Sequence, residues 1–169
     1  MLNHLVEAVV EMGKVLVAGK KLSKKLTMKR MVKMKKSEVA DAKFQEGYNC
    51  AQAVCFSFAD DLNYDQNLAM KLACGFGAGM GRNEEVCGAV SGGIIVIGMK
   101  YGRGENQDRS LMEQTYEKTS ELMKRFKEKH GSFICRELLD GCELTTSEGQ
   151  KEFKEKDLKN RVCRHCVRN

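Results

Sequence analysis

Apolar residues recur at helical spacing over most of the chain, and the strict alternation typical of strands is nearly absent. Between Asn106 and His130, apolar residues return every three or four positions and charged residues fill the positions between them. Shorter segments of the same kind cover 50–59, 64–74 and 133–139, and a last one begins near Ser147. No proline interrupts them. The pattern predicts an all-α protein, a compact single-domain helical bundle.

The segment Leu72–Gly104 differs from the others because it holds ten of the chain's sixteen glycines and two of its eight cysteines. Its run 86–99 carries no charge, yet it is shorter than the ~20 residues that a membrane-spanning helix needs. We therefore expect a buried central helix at about residues 84–101, around which the bundle packs. Asn83 is the expected N-cap, followed by Glu84 and Glu85 in the first turn.

Three glycines fall inside this predicted helix, at Gly88, Gly92 and Gly93. Each glycine costs a helix about 0.5–1 kcal/mol relative to alanine. A helix that carries three of them is expected to lie where the backbones of other elements approach closely.

The net charge of +6 is unevenly distributed. Residues 1–36 hold ten Lys and Arg against two Glu, whereas residues 37–169 hold nineteen Lys and Arg against twenty-one Asp and Glu. We expect a basic N-terminal extension at 1–36, helical or disordered, and a cysteine-containing helical domain at 37–169. Because the domain is nearly neutral, a nucleic-acid surface is not indicated. No transmembrane segment and no secretory signal are recognisable, which favours a cytoplasmic protein.

Eight cysteines in a chain without a secretory signal indicate metal binding or redox chemistry more than structural disulfides. Cys163 and Cys166 form a CxxC pair, which supplies half of a tetrahedral zinc or iron site. Cys87 lies at a predicted helix start, where the dipole lowers a thiol pKa and burial raises it. Cys55 and Cys74 are expected to be inert core residues.

Several short motifs of the chain together resemble one known family, the redox-active proteins with the C_GCAxxG_C_C cysteine pattern. The glycine before the second cysteine of that pattern is replaced here by Val86, and Cys166 is additional. The motifs that carry the resemblance are GYNCAQAV at 47–54, GFGAGMGR at 75–82, CGAVSG at 87–92, CRELL at 135–139 and Cys163.

The resemblance implies a small helical protein with four functional cysteines, Cys50, Cys87, Cys135 and Cys163, for which we predict a shared site. It would act in electron transfer through reversible disulfides, or through a cysteine-ligated metal such as zinc or an iron–sulfur cluster, with Cys166 as a further ligand. A redox partner protein and a homo-oligomer are compatible with this reading. The alternative is a non-catalytic interaction or metal-binding module whose cysteines are structural.

Overall fold

A computed structural model describes residues 34–168, and these residues form an all-α bundle without β-strands. The predicted basic extension lies outside the described residues, except for its last three. No helix within 34–168 has the length and apolar content needed to cross a membrane. The helices in chain order are α1 (Lys36–Gln45), α2 (Cys50–Ala59), α3 (Gln66–Ala73), α4 (Gly88–Tyr101), α5 (Ser110–His130), α6 (Cys135–Leu138), α7 (Ser147–Glu155) and α8 (Arg164–Arg168).

Helices α2 and α4 form the centre of the described bundle, with α1 and α3 packed on α2 and α5 packed on α4. The buried residues of α2 are all small: Cys50, Ala51, Ala53, Cys55, Ser57 and Ala59. A Cβ atom added at Gly92 of α4 would lie 2.9 Å from the backbone oxygen of Ala51. This confirms the predicted close approach at Gly92, and it explains why glycine occupies a helix interior there.

The central helix differs from the prediction at its start and in its burial. It begins at Gly88 with Cys87 as N-cap, so Glu84 and Glu85 are not in its first turn. The preceding Val86 forms an isolated antiparallel bridge with Ile134. This bridge holds the backbone extended and delays the helix by four residues. Burial is confined to Gly88–Gly92, and the later turns are half-buried or exposed.

The short helix α8 is tied to α1 by an ion pair with two hydrogen bonds. Arg164 Nε and Nη2 donate to the two carboxylate oxygens of Asp41 at 2.7 Å and 2.9 Å. The Arg164 guanidinium lowers the pKa of the Asp41 carboxyl, chiefly through the hydrogen bond. The pair fixes the segment that carries Cys163 and Cys166 against the centre of the bundle.

Candidate cysteine site

Cys87 is buried at the N-cap of α4, and its backbone N–H donates to Phe133 O at 2.8 Å. A hydrogen bond with the Cys166 thiol lowers the pKa of Cys87 to about 7, against the opposing effect of burial. The backbone N–H groups of Ala89 and Val90 lower it further, although neither makes a hydrogen bond of regular cap geometry. Cys87 is therefore the thiol of this group that ionises near neutral pH.

Cys166, the hydrogen-bond partner of Cys87, is a buried residue of α8. The same hydrogen bond with Cys87 is the main reason that the pKa of Cys166 is raised, and burial adds to it. The two shifts have the opposite signs that are expected when one thiol of a hydrogen-bonded pair ionises before the other. Cys87 and Cys166 also belong to the same buried cluster of the bundle.

Cys50 and Cys163 form a second pair in the same region. Cys50 is the first residue of α2, and the side chain of the N-cap residue Asn49 accepts from Gln52 N at 3.0 Å. Cys163 ends a one-turn π-helix at Lys159–Cys163 that leads into α8. The hydrogen bond with Cys163, followed by burial, raises the pKa of Cys50 well above its ordinary value.

Cys135 is the first residue of α6 and is buried. Its N–H donates to Glu85 O at 2.7 Å, which is part of the bridge between the Cys87 and Cys135 segments. Burial raises the pKa of Cys135 to about 12, and electrostatic interactions with Cys87 and Cys163 add to the effect. Cys135 therefore lies close to a member of each thiol pair, Cys87 and Cys163.

One cavity of about 530 Å³, here named the cysteine cavity, collects the four cysteines that the resemblance singled out. Its apolar wall is completed by aromatic and aliphatic side chains, and its polar groups include amides and charged side chains from three segments. The lining residues include Cys50, Cys87, Cys135, Cys163, Phe44, Phe153, Asn49, Arg82, Lys154, Asp157 and Lys159.

One known family matches most of the chain. The family described as "Putative redox-active protein (C_GCAxxG_C_C)" matches residues 48–169. The chain belongs to this family. No curated protein and no solved structure matches the chain. The matched region contains all five cysteines of the candidate site: Cys50, Cys87, Cys135, Cys163 and Cys166.

Cys166 does not line the cysteine cavity, and neither do the other three cysteines of this family member, Cys55, Cys74 and Cys142. Cys55 is fully buried and its Sγ donates to Gly92 O at 3.5 Å, and burial raises its pKa to about 12. Cys142 is also buried, and its Sγ donates to Gly149 O at 3.3 Å. Cys74 is exposed in the 3₁₀ turn after α3, so its prediction as a core residue was wrong. Periodicity placed it on a regular helix, whereas α3 ends at Ala73.

All eight cysteines are free thiols in the described chain. Among residues 34–168, no three His, Cys, Asp or Glu side chains are arranged so that they could hold a metal ion. The five thiols are a suitable donor type for zinc or iron, but their described arrangement does not form such a site. We therefore derive no step through a metal, and metal ligation stays a prediction.

Glu84 is a part of the site that the sequence did not reveal. Its side chain is fully buried, and its backbone is left-handed with φ of 62°. Oε1 accepts from Thr145 N at 3.2 Å, and Oε2 lies 3.0 Å from Arg136 Nε in an ion pair whose angle is not that of a hydrogen bond. Its negative charge contributes to the raised pKa of Cys135. A positive φ at a non-glycine residue has no signal in a single sequence.

Proposed function

We propose that the protein exchanges two electrons with a disulfide-bearing partner through the thiols that line the cysteine cavity and the neighbouring Cys166 thiol. The observation that carries this proposal is the convergence of Cys50, Cys87, Cys135 and Cys163 from separate segments on one cavity. Membership of a family described as redox-active supports it. A cluster of packing cysteines would not need a shared space that a reacting group can enter.

The proposed reaction begins at Cys87, because its thiolate is populated near neutral pH. The thiolate attacks one sulfur of the partner disulfide, forms a mixed disulfide and releases the other sulfur as a thiolate. Cys166 then loses its proton and attacks the sulfur of Cys87, which frees the second partner thiolate. The products are a Cys87–Cys166 disulfide and two partner thiols, so the cysteine pair loses two electrons and the partner gains them.

The second pair, Cys50 and Cys163, extends the proposal to a route through the protein. A thiolate of this pair attacks the Cys87–Cys166 disulfide and passes the oxidation on as a Cys50–Cys163 disulfide, while Cys87 and Cys166 become thiols again. The raised pKa of Cys50 makes this second step slower than the first at neutral pH. Cys135 is a positioning residue in this scheme, since its raised pKa keeps it protonated beside both pairs.

The test is disulfide mapping after anaerobic incubation with the linear disulfide bis(2-hydroxyethyl) disulfide. Mass spectrometry of proteolytic fragments should show a Cys87–Cys166 link that disappears on reduction. Cys87→Ser and Cys166→Ser should each abolish it. The matched control Cys55→Ser removes a buried thiol outside the cavity and should leave the link unchanged.

The exposed Cys74 reports whether the oxidant reached the protein, since it should form a mixed adduct in every sample. If Cys74 reacts while Cys50, Cys87, Cys135, Cys163 and Cys166 stay reduced, dithiol exchange is wrong. Iron and zinc analysis of anaerobically purified protein tests the predicted metal ligation by the same five cysteines. A stoichiometric metal that is lost in Cys50→Ser and Cys163→Ser would replace disulfide exchange with metal-centred chemistry. A cytoplasmic location, a redox partner protein and a homo-oligomer stay predictions.

A further inference from the structure

A second cavity of about 490 Å³, here named the basic cavity, lies between α1, α2, α4, α5 and α8. Its floor is apolar, and the residues that form this floor include Val54, Phe58, Val96, Ile97, Leu122 and Phe126. Cavities of about 300–1,000 Å³ with an apolar lining and a few polar groups are typical of small-molecule sites. None of the cysteines of the cysteine cavity lines it; Cys166 does.

The charged side chains that line the basic cavity are all positive. They are Lys36, Arg125, Lys129 and Arg168, and no Asp or Glu is among the described lining residues. Three of them are paired with carboxylates outside the lining: Lys36 with Asp61, Arg125 with Glu121 and Arg168 with Asp41. Lys129 makes no ion pair with a residue of 34–168, so the rim keeps an excess of positive charge.

His130, at the end of α5, adds an independent observation. Its Nε2 is buried and has no hydrogen-bond partner within the described chain, and its ring stacks on Phe126 with a centroid distance of 4.4 Å. Burial and the neighbouring charges of Lys129 and His165 lower the pKa of His130. A buried polar atom without a partner is unfavourable and needs an explanation. An anionic oxygen in the cavity would accept a hydrogen bond from Nε2–H.

We propose that the basic cavity binds a small amphipathic anion, a monocarboxylate with an aliphatic body. The aliphatic chain would lie on the apolar floor, and the carboxylate would face Arg125, Lys129 and His130. The proposal does not depend on thiol chemistry. Cys166 nevertheless lines the basic cavity and also forms the hydrogen bond with Cys87. The proposal assigns a ligand site to a cavity that shares no lining residue with the cysteine cavity.

The probe is decanoate, titrated into the full-length reduced protein by isothermal calorimetry. We expect saturable binding of one decanoate per chain. Decyltrimethylammonium has the same aliphatic body with the opposite charge, and acetate has the charge without the body. Both should bind at least about tenfold more weakly, because the site requires both parts of the ligand.

The variant Arg125→Gln/Lys129→Gln should weaken decanoate binding by about tenfold. It removes the two cationic side chains that would pair with the decanoate carboxylate, and each such pair is weakened by the surrounding solvent. The control Lys124→Gln/Lys127→Gln removes the same charge from the same helix at exposed positions outside the cavity. It should bind decanoate as the wild type does. All four side chains are exposed, so both variants should keep the wild-type melting temperature.

Three results would overturn the proposal: no saturable binding of decanoate, equal binding of decyltrimethylammonium, or equal losses in the two double variants. Ile97→Trp gives a second measurement, since it fills the apolar floor without changing a charge. It should weaken decanoate binding by at least about tenfold, and unchanged binding in a folded Ile97→Trp protein would place the ligand elsewhere.

Discussion

Replacement of Gly92 by alanine is a sharp test of the packing between α2 and α4. The new Cβ would lie 2.9 Å from Ala51 O, 3.0 Å from Ala51 Cα and 3.1 Å from Val54 Cβ. Two of these atoms are backbone, which cannot rotate away as a flexible side chain does. Ordinary van der Waals contact begins near 3.4 Å, so the two helices would have to separate by about half an ångström.

Overpacking of this kind costs about 1–3 kcal/mol in a dense interior. The same substitution also removes the helix penalty of glycine, which returns about 0.5–1 kcal/mol. The expected net loss in the free energy of unfolding is therefore about 1–2 kcal/mol. Gly98→Ala is the matched control, because it lies on the same helix and a Cβ there meets no atom within 4 Å.

Urea unfolding followed by far-UV circular dichroism measures both variants. Gly98→Ala should be more stable than the wild type by about 0.5–1 kcal/mol. The two variants should then differ by about 2 kcal/mol, or by about 4–8 °C in melting temperature for a chain of this size. If Gly92→Ala is as stable as Gly98→Ala, the close approach of α2 and α4 at this position is refuted.

Three further predictions concern the cysteine pair, the α1–α8 contact and the N-terminal extension. Cys166→Ala removes the main hydrogen bond that lowers the pKa of Cys87, so the pH midpoint of Cys87 alkylation by iodoacetamide should rise from about 7; an unchanged midpoint would contradict the assigned cause. Asp41→Asn should lower the free energy of unfolding at pH 7 by about 1–3 kcal/mol, since it breaks a charge-assisted pair with Arg164. Because the pKa of Asp41 is lowered from 3.8, this difference should be full above that value and should vanish as the pH falls through the lowered pKa; a loss that persists in acid would exclude the ion pair as its source. Removal of residues 1–33 should shift the melting temperature by only a few degrees, and a large loss would show that the extension is part of the bundle.

Helix α2 shows what a single sequence can predict here. Asn49 is a strong N-cap residue, Gln52 completes the capping box three positions later, and the predicted helix 50–59 agrees with the structure. These signals lie within a few residues of one another along the chain. The all-α class could be predicted for the same reason, since helical periodicity is also a local property.

The start of α4 and the pairing of the thiols depend on residues that are distant in sequence. Asn is a residue type that is favoured at the N-cap, but the side chain of Asn83 donates to Met80 O at 2.7 Å. The helix begins only at Gly88. The delay follows from the pairing of Val86 with Ile134, which no local pattern encodes. The contact of Cys87 with Cys166 depends likewise on the docking of α8, so the sequence indicated Cys166 only as a metal ligand.

The bridge between Val86 and Ile134 has a consequence for how the cysteine segments open. The Cys87 N–H donates a hydrogen bond to Phe133 O, and the Cys135 N–H donates one to Glu85 O. Each amide is therefore protected from exchange by the segment that carries the other cysteine. Neither can exchange its proton with deuterated water unless the whole bridge separates. The two amides should therefore exchange at one common rate, and any event that loosens the segment around Cys87 should release the one around Cys135 at the same moment.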